Sequence, residues 1–294
     1  MTRTLVVYLH GIGDNIMLSG VLKEYCRLRP DETIDLVVLN SACAAIWQNN
    51  PLVHSVTVYP AAQPYFWNPV KFYLSHQFAV RRYIHQLNGD GPYRRVIFPT
   101  IQTLPEILYH LTGTYGLHKI NRICVDLGVP EKLYPYDLHP NAQELSAAEE
   151  LIAKFDGKPL AVLHPFSGHT LKRLSNAGFG AILNVMRKKG MATLVVGAPD
   201  DKSRLDPAWE TESAFGLSFG VLIGILRHAA VFAGTDSAIA HLAAFANVPR
   251  LAVFSTKLEP GRYLPVSERS RIEVIRIKQG EEARSLEAFY KFLE

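Results

Sequence analysis

The sequence predicts an α/β protein made of two successive units, each a parallel β-sheet covered by helices. Short apolar runs rich in Val, Ile and Leu alternate along the chain with segments whose apolar residues recur at helical spacing. Runs of this kind are typical of strands buried on both faces, as in parallel sheets. One polar stretch, YPYDLHPNAQELSAAEE, interrupts the alternation, which then starts again. We therefore place the junction between the units at residues 135–150.

The first half contains four predicted strands. LVVYL at 5–9 is the first, and residues 15–28 follow it as a helix, because five apolar residues lie there at helical spacing: Leu18, Val21, Leu22, Tyr25 and Leu28. IDLVVL, SVTVY and RRVIFP are the other three strands.

The second half repeats the pattern. LAVLHP, ATLVVGAP, AVFAG and LAVFS are predicted strands, and helices are expected near 176–189, 220–229 and 237–246. A last helix, SLEAFYKFLE, can pack on either unit. These patterns give domains of 1–140 and 141–270, followed by a segment, 271–294, whose packing the sequence leaves open.

Composition excludes several classes of protein. The formal net charge of +4 and the absence of a long lysine or arginine run argue against a nucleic-acid surface, while a mildly basic chain suits anionic ligands. Cys26, Cys43 and Cys124 form no C-x-x-C pair, which favours reduced thiols and the cytosol. The N-terminus enters TLVVYLH without a leader pattern, and no apolar run is long enough to span a bilayer. We expect a cytoplasmic protein.

The first candidate ligand loop is GTDSAIAHLAAFANVP at 234–249. Ligands of open α/β sheets bind beyond the carboxyl ends of the strands, and this loop lies there. Thr235 or Asp236 is expected to cap the helix that follows. Three backbone N–H groups would then point out of its positive end, those of Ser237, Ala238 and Ile239. His241, one turn deeper on the same face, would offer a ring N–H to a phosphate or ribose oxygen. The alternative is an ordinary cap and a core histidine.

A second loop, LHPFSGHTLKRLS at 163–175, is predicted to lie at the same sheet edge. Ser167 and Thr170 offer hydroxyl groups, Gly168 permits close approach of the backbone, and Lys172 is a compact cation able to neutralise a diphosphate. Two loops suited to phosphate on one edge indicate a nucleotide diphosphate as the ligand.

These segments resemble glycosyltransferase family 9, the ADP-heptose:lipopolysaccharide heptosyltransferases. GTDSAIAHLAAFANVP is similar to the D-S-G-x-x-H helix start of that family, LHPFSGHTLKRLS to its H-P-G…K-R-W loop, and HGIGDNIMLSGVLKEY to its N-terminal G-D-x-x-x-x-x-P segment. The resemblance runs from about residue 4 to about residue 265, and the order and spacing of the motifs are more specific than any one of them.

The resemblance implies a GT-B fold, in which two Rossmann-like domains face a central cleft. The second domain would bind a nucleotide-diphosphate sugar, with ADP-heptose favoured, and the first a saccharide or glycolipid acceptor. It also implies an inverting transfer that needs neither a metal nor another cofactor, and peripheral contact with the inner face of a membrane. Ala238 in place of glycine, Leu174 and Ser175 in place of Trp-Pro, and Gly20 in place of proline depart from the family pattern and leave the donor sugar open.

Asp14 is the candidate general base, because an inverting transfer needs a carboxylate to take the acceptor hydroxyl proton. By the resemblance it faces the cleft. Its alternative role is to cap the helix from 15 to 28. No D-x-D pair of the metal-binding kind is present.

Two further sets of residues carry less specific predictions. Asp201 lies near the position of the ribose-binding carboxylate of the family, although GAPDD also suits a plain turn. Lys71, Arg81 and Arg82 lie in an aromatic and basic stretch that corresponds to the acceptor region of the family, with a membrane-contact role as a further possibility. The alternative is a core helix with a solvated basic edge.

Three rival functions remain at this stage. GLSFG at 216–220 matches the G-x-S-x-G pattern of serine hydrolases, but the residues before it are polar and Ser218 suits a helix cap better. HGIGDN does not complete a dinucleotide-binding G-x-G-x-x-G, because Ile16 replaces the third glycine. A GT-B nucleotide-sugar epimerase or a non-catalytic sugar-nucleotide binder would keep the fold and change the chemistry.

Overall fold

A computed structural model of the chain describes residues 2–60, 69–89, 91–98, 118–155, 157–167, 175–255, 263–276 and 282–294, with only the backbone at 69–77 and 282–283. The chain divides into two compact units, Met1–Lys132 and Leu133–Glu294. The division lies just before the polar stretch in which the sequence placed the junction.

The first unit contains a parallel sheet, and all four strands predicted for it are present. Its strands are β1 (Thr2–Tyr8), β2 (Glu32–Val38), β3 (Val53–Val58) and β4 (Arg95–Ile97), in the order β3-β2-β1-β4. Its described helices are α1 (Ile12–Leu28), α2 (Ser41–Ile46), α3 (Pro69–Leu87) and α4 (Lys119–Leu127). α3 packs Val80, Tyr83, Ile84 and Leu87 into one hydrophobic cluster with β1. That spacing is the apolar stripe of an amphipathic helix.

The second unit contains a six-stranded sheet whose strand pairs are all parallel. Its strands are β5 (Leu160–His164), β6 (Ala192–Gly197), β7 (Glu212–Phe215), β8 (Ala229–Thr235), β9 (Arg250–Ser255) and β10 (Arg271–Arg276), in the order β10-β9-β8-β5-β6-β7. Its described helices are α5 (Ala142–Ile152), α6 (Asn176–Lys188), α7 (Phe219–Arg227), α8 (Ala238–Phe245) and α9 (Glu282–Leu293).

Both sheets have the connectivity of nucleotide-binding α/β folds. Numbered from the first strand of each unit, the second sheet has the order 3-2-1-4-5-6 and the first has 3-2-1-4, which is the order of Rossmann-type sheets. In the second sheet the strand order reverses at β5: β6 and β7 are added on one side of it, and β8, β9 and β10 on the other. The β5–β8 pair is therefore the topological switch point of the sheet. The predicted class, two parallel α/β units, is confirmed.

The structure adds elements that the sequence pattern did not predict. The polar stretch contains α5, which begins with a capping box between Asn141 and Glu144 and packs against α7. Strands β7 and β10 form the two edges of the second sheet. α9 packs on α6, β9 and β10, so the C-terminal segment belongs to the second unit.

Candidate functional site

The two predicted phosphate loops leave the second sheet side by side at its switch point. β5 and β8 are neighbours, with His164 paired to Gly234, so the residues that follow them meet at one edge. A Cβ atom at Gly234 would lie 2.9 Å from the carbonyl oxygen of His164. Only glycine allows the two strand ends to approach this closely. In sheets of this order, the crevice at the switch point is where ligands bind.

His164, the last residue of β5, joins the two loops through its side chain. Its side chain is buried, and Nδ1 lies 3.1 Å from the Ser237 hydroxyl oxygen and 3.5 Å from that of Thr235. The Thr235 hydroxyl donates to the Phe166 carbonyl at 2.6 Å, a second link between the loops. Burial lowers the pKa of His164 to about 3, which keeps the imidazole neutral at physiological pH. The loops are therefore held together by an uncharged hydrogen-bond network.

The N-cap residue of α8 is Ser237, so the prediction that Thr235 or Asp236 caps this helix is wrong. Ser237 is the N-cap residue, yet its side chain makes no capping hydrogen bond and lies against His164 instead. Thr235 ends β8 with its hydroxyl on Phe166, and the backbone N–H of Asp236 donates to Phe254. Helix geometry leaves the amides of Ser237, Ala238 and Ile239 without intrahelical acceptors. This uncapped end has the positive potential that binds anions.

His241 occupies the next turn of α8 and is buried. Side chains of a helix tilt towards its N-terminus, so the ring covers the turn that begins at Ser237. Nδ1 lies 2.6 Å from the hydroxyl oxygen of Tyr136, which in turn accepts a hydrogen bond from the Val266 N–H at 3.0 Å. His241 is thus a hydrogen-bonded histidine at the helix start.

The rest of the second predicted loop is described only in part. Gly168, Thr170 and Lys172 lie outside the described residues. Ser167 is described and half-buried, and its carbonyl oxygen lies 3.5 Å from Nη2 of Arg204.

Asp201, the ribose candidate, belongs to a short 3₁₀ helix, Pro199–Arg204, after β6. One carboxylate oxygen accepts from the Ala198 N–H at 2.9 Å and the other from Arg204 at 2.7 Å. Burial is the largest influence on this carboxyl and raises its pKa. Asp201 therefore has a structural role as the cap of this turn, as the alternative interpretation of GAPDD expected. A ribose would be an additional partner.

In the first unit, Asp14 lies in the first turn of α1 and is half-buried. The alternative that Asp14 caps this helix is wrong, because α1 begins at Ile12 and its N-cap is Gly11. A carboxylate this close to a helix N-terminus is stabilised by the helix dipole, since the first-turn N–H groups lie near it.

The loop that carries Asp14 is fixed by the buried Asn15. Its side-chain amide donates to the carbonyls of His10 at 3.1 Å and Gly11 at 2.9 Å, and its oxygen accepts from the Trp47 indole at 3.0 Å. The Cys43 thiol adds a weak contact to the His10 carbonyl at 3.3 Å, and burial raises its pKa to about 11. A loop held at four points keeps Asp14 in a defined position.

The acceptor candidates lie on α3. Arg81 and Arg82 are exposed on the face opposite the core residues, and Lys71 lies on the same helix with its side chain outside the described residues. Both earlier interpretations survive, because the helix has a core face and a solvated basic edge.

Ser218 is a helix cap, as predicted, and not a hydrolase nucleophile. Its hydroxyl oxygen accepts from the Val221 N–H at the start of α7, and the hydroxyl donates to Glu144 at 2.7 Å. The strand before it, β7, is a partly exposed edge strand.

Sequence reasoning missed three groups: His164 and Tyr136 in the second unit, and the Asn15–Trp47 pair in the first. His164 is near the carboxyl end of the predicted strand LAVLHP, where the second candidate loop begins. That position at the ligand-binding edge of the sheet could have identified it. Tyr136 lies in the stretch assigned to the junction, and no local pattern connects it with His241, 105 residues away.

In the described part of the chain, no group of three or more histidine, cysteine or acidic side chains is arranged to hold a metal ion. None of the helices described there is long and apolar enough to cross a membrane.

Two Rossmann-type units define the GT-B class of fold. The sequence profile of glycosyltransferase family 9 (heptosyltransferase) matches residues 119–291, more than half of the chain, and the chain belongs to this family. It is 29% identical over 110 residues to lipopolysaccharide heptosyltransferase 3 of Escherichia coli, a match that spans 33% of this chain and 32% of that protein.

Solved structures agree with this fold over nearly the whole chain. A family 9 glycosyl transferase from Veillonella parvula superposes with a TM-score of 0.73 at 16% identity, covering 99% of this chain and 97% of that one. The E. coli ADP-heptose lipopolysaccharide heptosyltransferase II superposes with a TM-score of 0.69 at 16% identity, covering 99% and 98%.

Proposed function

We propose that this protein transfers a sugar, with heptose favoured, from an ADP-linked donor to a hydroxyl group of a saccharide or glycolipid acceptor of the lipopolysaccharide type. Family membership and the names of the relatives support the reaction class, the donor and the acceptor. The observation that carries the proposal is the uncapped start of α8 at the switch point of the second sheet, bordered by His164 and His241.

The second unit would bind the donor through its diphosphate. The amides of Ser237, Ala238 and Ile239 offer hydrogen bonds where negative charge grows as the nucleotide leaves. Lys172, on the neighbouring loop, is proposed to neutralise the same group. Hydrogen-bond donors that already surround the leaving diphosphate stabilise its growing negative charge, as a metal ion does in other enzymes. We therefore propose a metal-independent transfer.

Asp14 is proposed as the general base of an inverting displacement. The acceptor oxygen forms a bond to the anomeric carbon on one face, while the bond from that carbon to the diphosphate oxygen breaks on the other. The hydroxyl proton passes to the Asp14 carboxylate, and the nucleoside diphosphate leaves with the bonding electron pair. The fixed loop around Asn15 suits this role, since a base must be held within hydrogen-bond reach of its proton.

Ligand screening tests the donor class directly. A ligand that binds only the folded protein raises its melting temperature, and at equal concentration the ligand with the lower dissociation constant raises it more. We expect ADP and ADP-heptose to raise it more than UDP, GDP or dTDP at equal concentration. Equal shifts for all diphosphates would contradict an adenosine donor, and no shift for any of them would overturn the proposed function.

The Asp14→Asn variant tests the base. Asparagine keeps the shape of the side chain but cannot take a proton, so we expect the transfer rate to fall by about two to four orders of magnitude. Affinity for ADP should stay close to that of the wild type, because the proposed donor residues lie in the other unit. The melting temperature should fall only slightly, through the lost interaction of the charge with the dipole of α1. Retention of near-wild-type transfer by a folded variant would remove Asp14 from the mechanism.

The exposed face of α3 is the proposed acceptor and membrane side. Arg81 and Arg82 suit a phosphorylated glycolipid, because guanidinium groups bind phosphate in a bidentate manner. Charge reversal at both residues should raise the KM for a lipid-linked acceptor and leave the affinity for ADP unchanged. A variant with an unaltered acceptor KM would exclude this face.

Product analysis separates the transferase from the two rivals that share its fold. A transferase consumes the donor only when an acceptor is present, whereas an epimerase converts the donor without one. A non-catalytic binder would bind ADP and form neither product.

A further inference from the structure

We propose that Tyr136 is a positioning residue that fixes His241 in the tautomer with its proton on Nε2, so that the ring acts as a neutral hydrogen-bond donor to the nucleoside diphosphate. Tyr136 lies near the start of the second unit, far from α8 in sequence, and its ring packs edge-on against the imidazole with centroids 5.6 Å apart. The inference rests on the proposed function, because it assigns a state to a histidine of the donor site.

The direction of each hydrogen bond follows from the partners of Tyr136. A backbone N–H can only donate, so the bond from Val266 uses the phenol oxygen as an acceptor. Among the described residues, the hydroxyl has one other hydrogen-bond partner, Nδ1 of His241. Its proton is therefore directed to Nδ1, which must be the unprotonated nitrogen of the ring.

The length of the bond supports the same assignment. The oxygen and nitrogen lie 2.6 Å apart, which fits an O–H donor better than an N–H donor, whose distances centre on about 2.9 to 3.0 Å. The Tyr136 hydroxyl also keeps its proton at physiological pH, because burial raises its pKa well above the ordinary value. A buried hydroxyl without an acceptor would carry a desolvation penalty, and the bond to Nδ1 avoids it.

The consequence lies at the other ring nitrogen. A neutral imidazole that accepts at Nδ1 carries its proton on Nε2, and the two nitrogens face in divergent directions. The ring covers the helix turn where the amides of Ser237 and Ala238 begin. In the proposed arrangement, Nε2–H faces the same anion as these amides and adds a hydrogen-bond donor to them. Without Tyr136, both tautomers and both ring orientations become populated, and only a fraction of molecules presents the donor.

The tautomer can be measured without a ligand. We expect ¹⁵N-histidine spectra of the ligand-free wild type to show a pyridine-type Nδ1 and a pyrrole-type Nε2 for His241, identified by the loss of its signals in His241→Gln. In Tyr136→Phe, which removes only the hydroxyl, the two nitrogens should move towards averaged shifts. A proton on Nδ1 in the wild type, or an unchanged tautomer in Tyr136→Phe, would overturn the proposal.

Affinity for ADP gives the second readout. Tyr136→Phe should weaken ADP binding about three- to tenfold, since the apparent dissociation constant rises as the competent fraction falls. The matched background is His241→Gln, whose side-chain amide offers an N–H near the Nε2 position whatever Tyr136 does. In the His241→Gln background, Tyr136→Phe should not change the affinity for ADP any further. It should still lower the free energy of unfolding, because the Val266 N–H loses its hydrogen-bond partner.

The double-mutant cycle separates positioning from a general loss of stability. Equal weakening by Tyr136→Phe in both backgrounds would show that Tyr136 does not act through His241 and would overturn the inference. Failure of the wild type to bind ADP would instead overturn the proposed function, while the spectra would still report the tautomer.

Discussion

Neighbours in space decide what individual serine and histidine side chains do in this protein. Ser175 and Ser218 precede helices and cap them, as local sequence rules predict. Ser237 has the same extended N-cap backbone, yet His164, 73 residues away, takes its hydroxyl group. The prediction that Thr235 or Asp236 caps α8 failed for another reason: β8 extends through Thr235, so the N-cap position falls at Ser237.

Burial of neutral His164 makes the second unit sensitive to acid. Its pKa falls from the ordinary value of 6.5 to about 3, so between these pH values the unfolded chain binds a proton that the folded chain does not. The free energy of unfolding should therefore decrease as pH falls from 6.5 towards 3, by at most about 1.4 kcal/mol per pH unit from this group.

His164→Asn tests this dependence, because the amide can keep the bond to Ser237 without titrating. Urea unfolding at several values between pH 7 and pH 4 should give a shallower pH dependence for the variant than for the wild type. His54→Asn, at an exposed histidine of the first unit, is the matched control and should leave the slope unchanged. Identical slopes for wild type and His164→Asn would contradict a buried neutral histidine.

At the scale of secondary structure, the sequence predicted buried elements better than edges and surface helices. The central strands have continuous apolar runs, so each was located to within a few residues. β7 and β10 were missed because neither has a continuous buried run: Glu212 and Ser213 are exposed, and Ile275 is the one buried residue of β10. α5 was missed because a polar surface helix is distinguished mainly by its capping box.

Close packing between α5 and α7 depends on a glycine that the sequence pattern did not single out. A Cβ atom at Gly224 would lie 2.5 Å from the Cβ of Ala148, a short side chain that cannot rotate away. Gly224→Ala should force the helices apart and lower the free energy of unfolding by about 1 to 3 kcal/mol, partly offset by the better helix propensity of alanine.

Gly180→Ala is the matched control in α6, where the added atom would meet Trp209 at an ordinary 3.5 Å. It should be neutral or stabilise the protein by up to about 1 kcal/mol. Urea unfolding of both variants compares them directly. A Gly224→Ala protein as stable as Gly180→Ala would mean that the helix contact is not tight.

At the scale of the whole molecule, two sheets of related topology hold different polar groups. The carboxyl edge of the second holds the hydrogen-bonded loops of the proposed donor site, and the sequence predicted that edge because both loops follow the carboxyl ends of predicted strands. It did not predict that His164 joins the loops through Ser237, or that Tyr136 contacts His241 and Val266, since these partners come together only after the chain has folded. The first sheet instead buries Asp35, which accepts hydrogen bonds from Arg3 at 2.7 Å and from Ser55.

ADP should stabilise the second unit selectively, because every described residue of the proposed donor site lies in Leu133–Glu294. Chains with two compact units commonly unfold in more than one step, so we expect two calorimetric transitions. Gly224→Ala should lower one of them and thereby identify the second unit, while Asp35→Asn should lower the other by weakening its pair with Arg3.

ADP at about 100 times its dissociation constant adds about 2.7 kcal/mol to the unit that binds it. The transition that Gly224→Ala lowers should therefore move to a higher temperature with ADP, and the one that Asp35→Asn lowers should not. A shift of the first-unit transition alone would mean that the nucleotide binds beyond β1, and it would reverse the assignment of donor and acceptor to the two units.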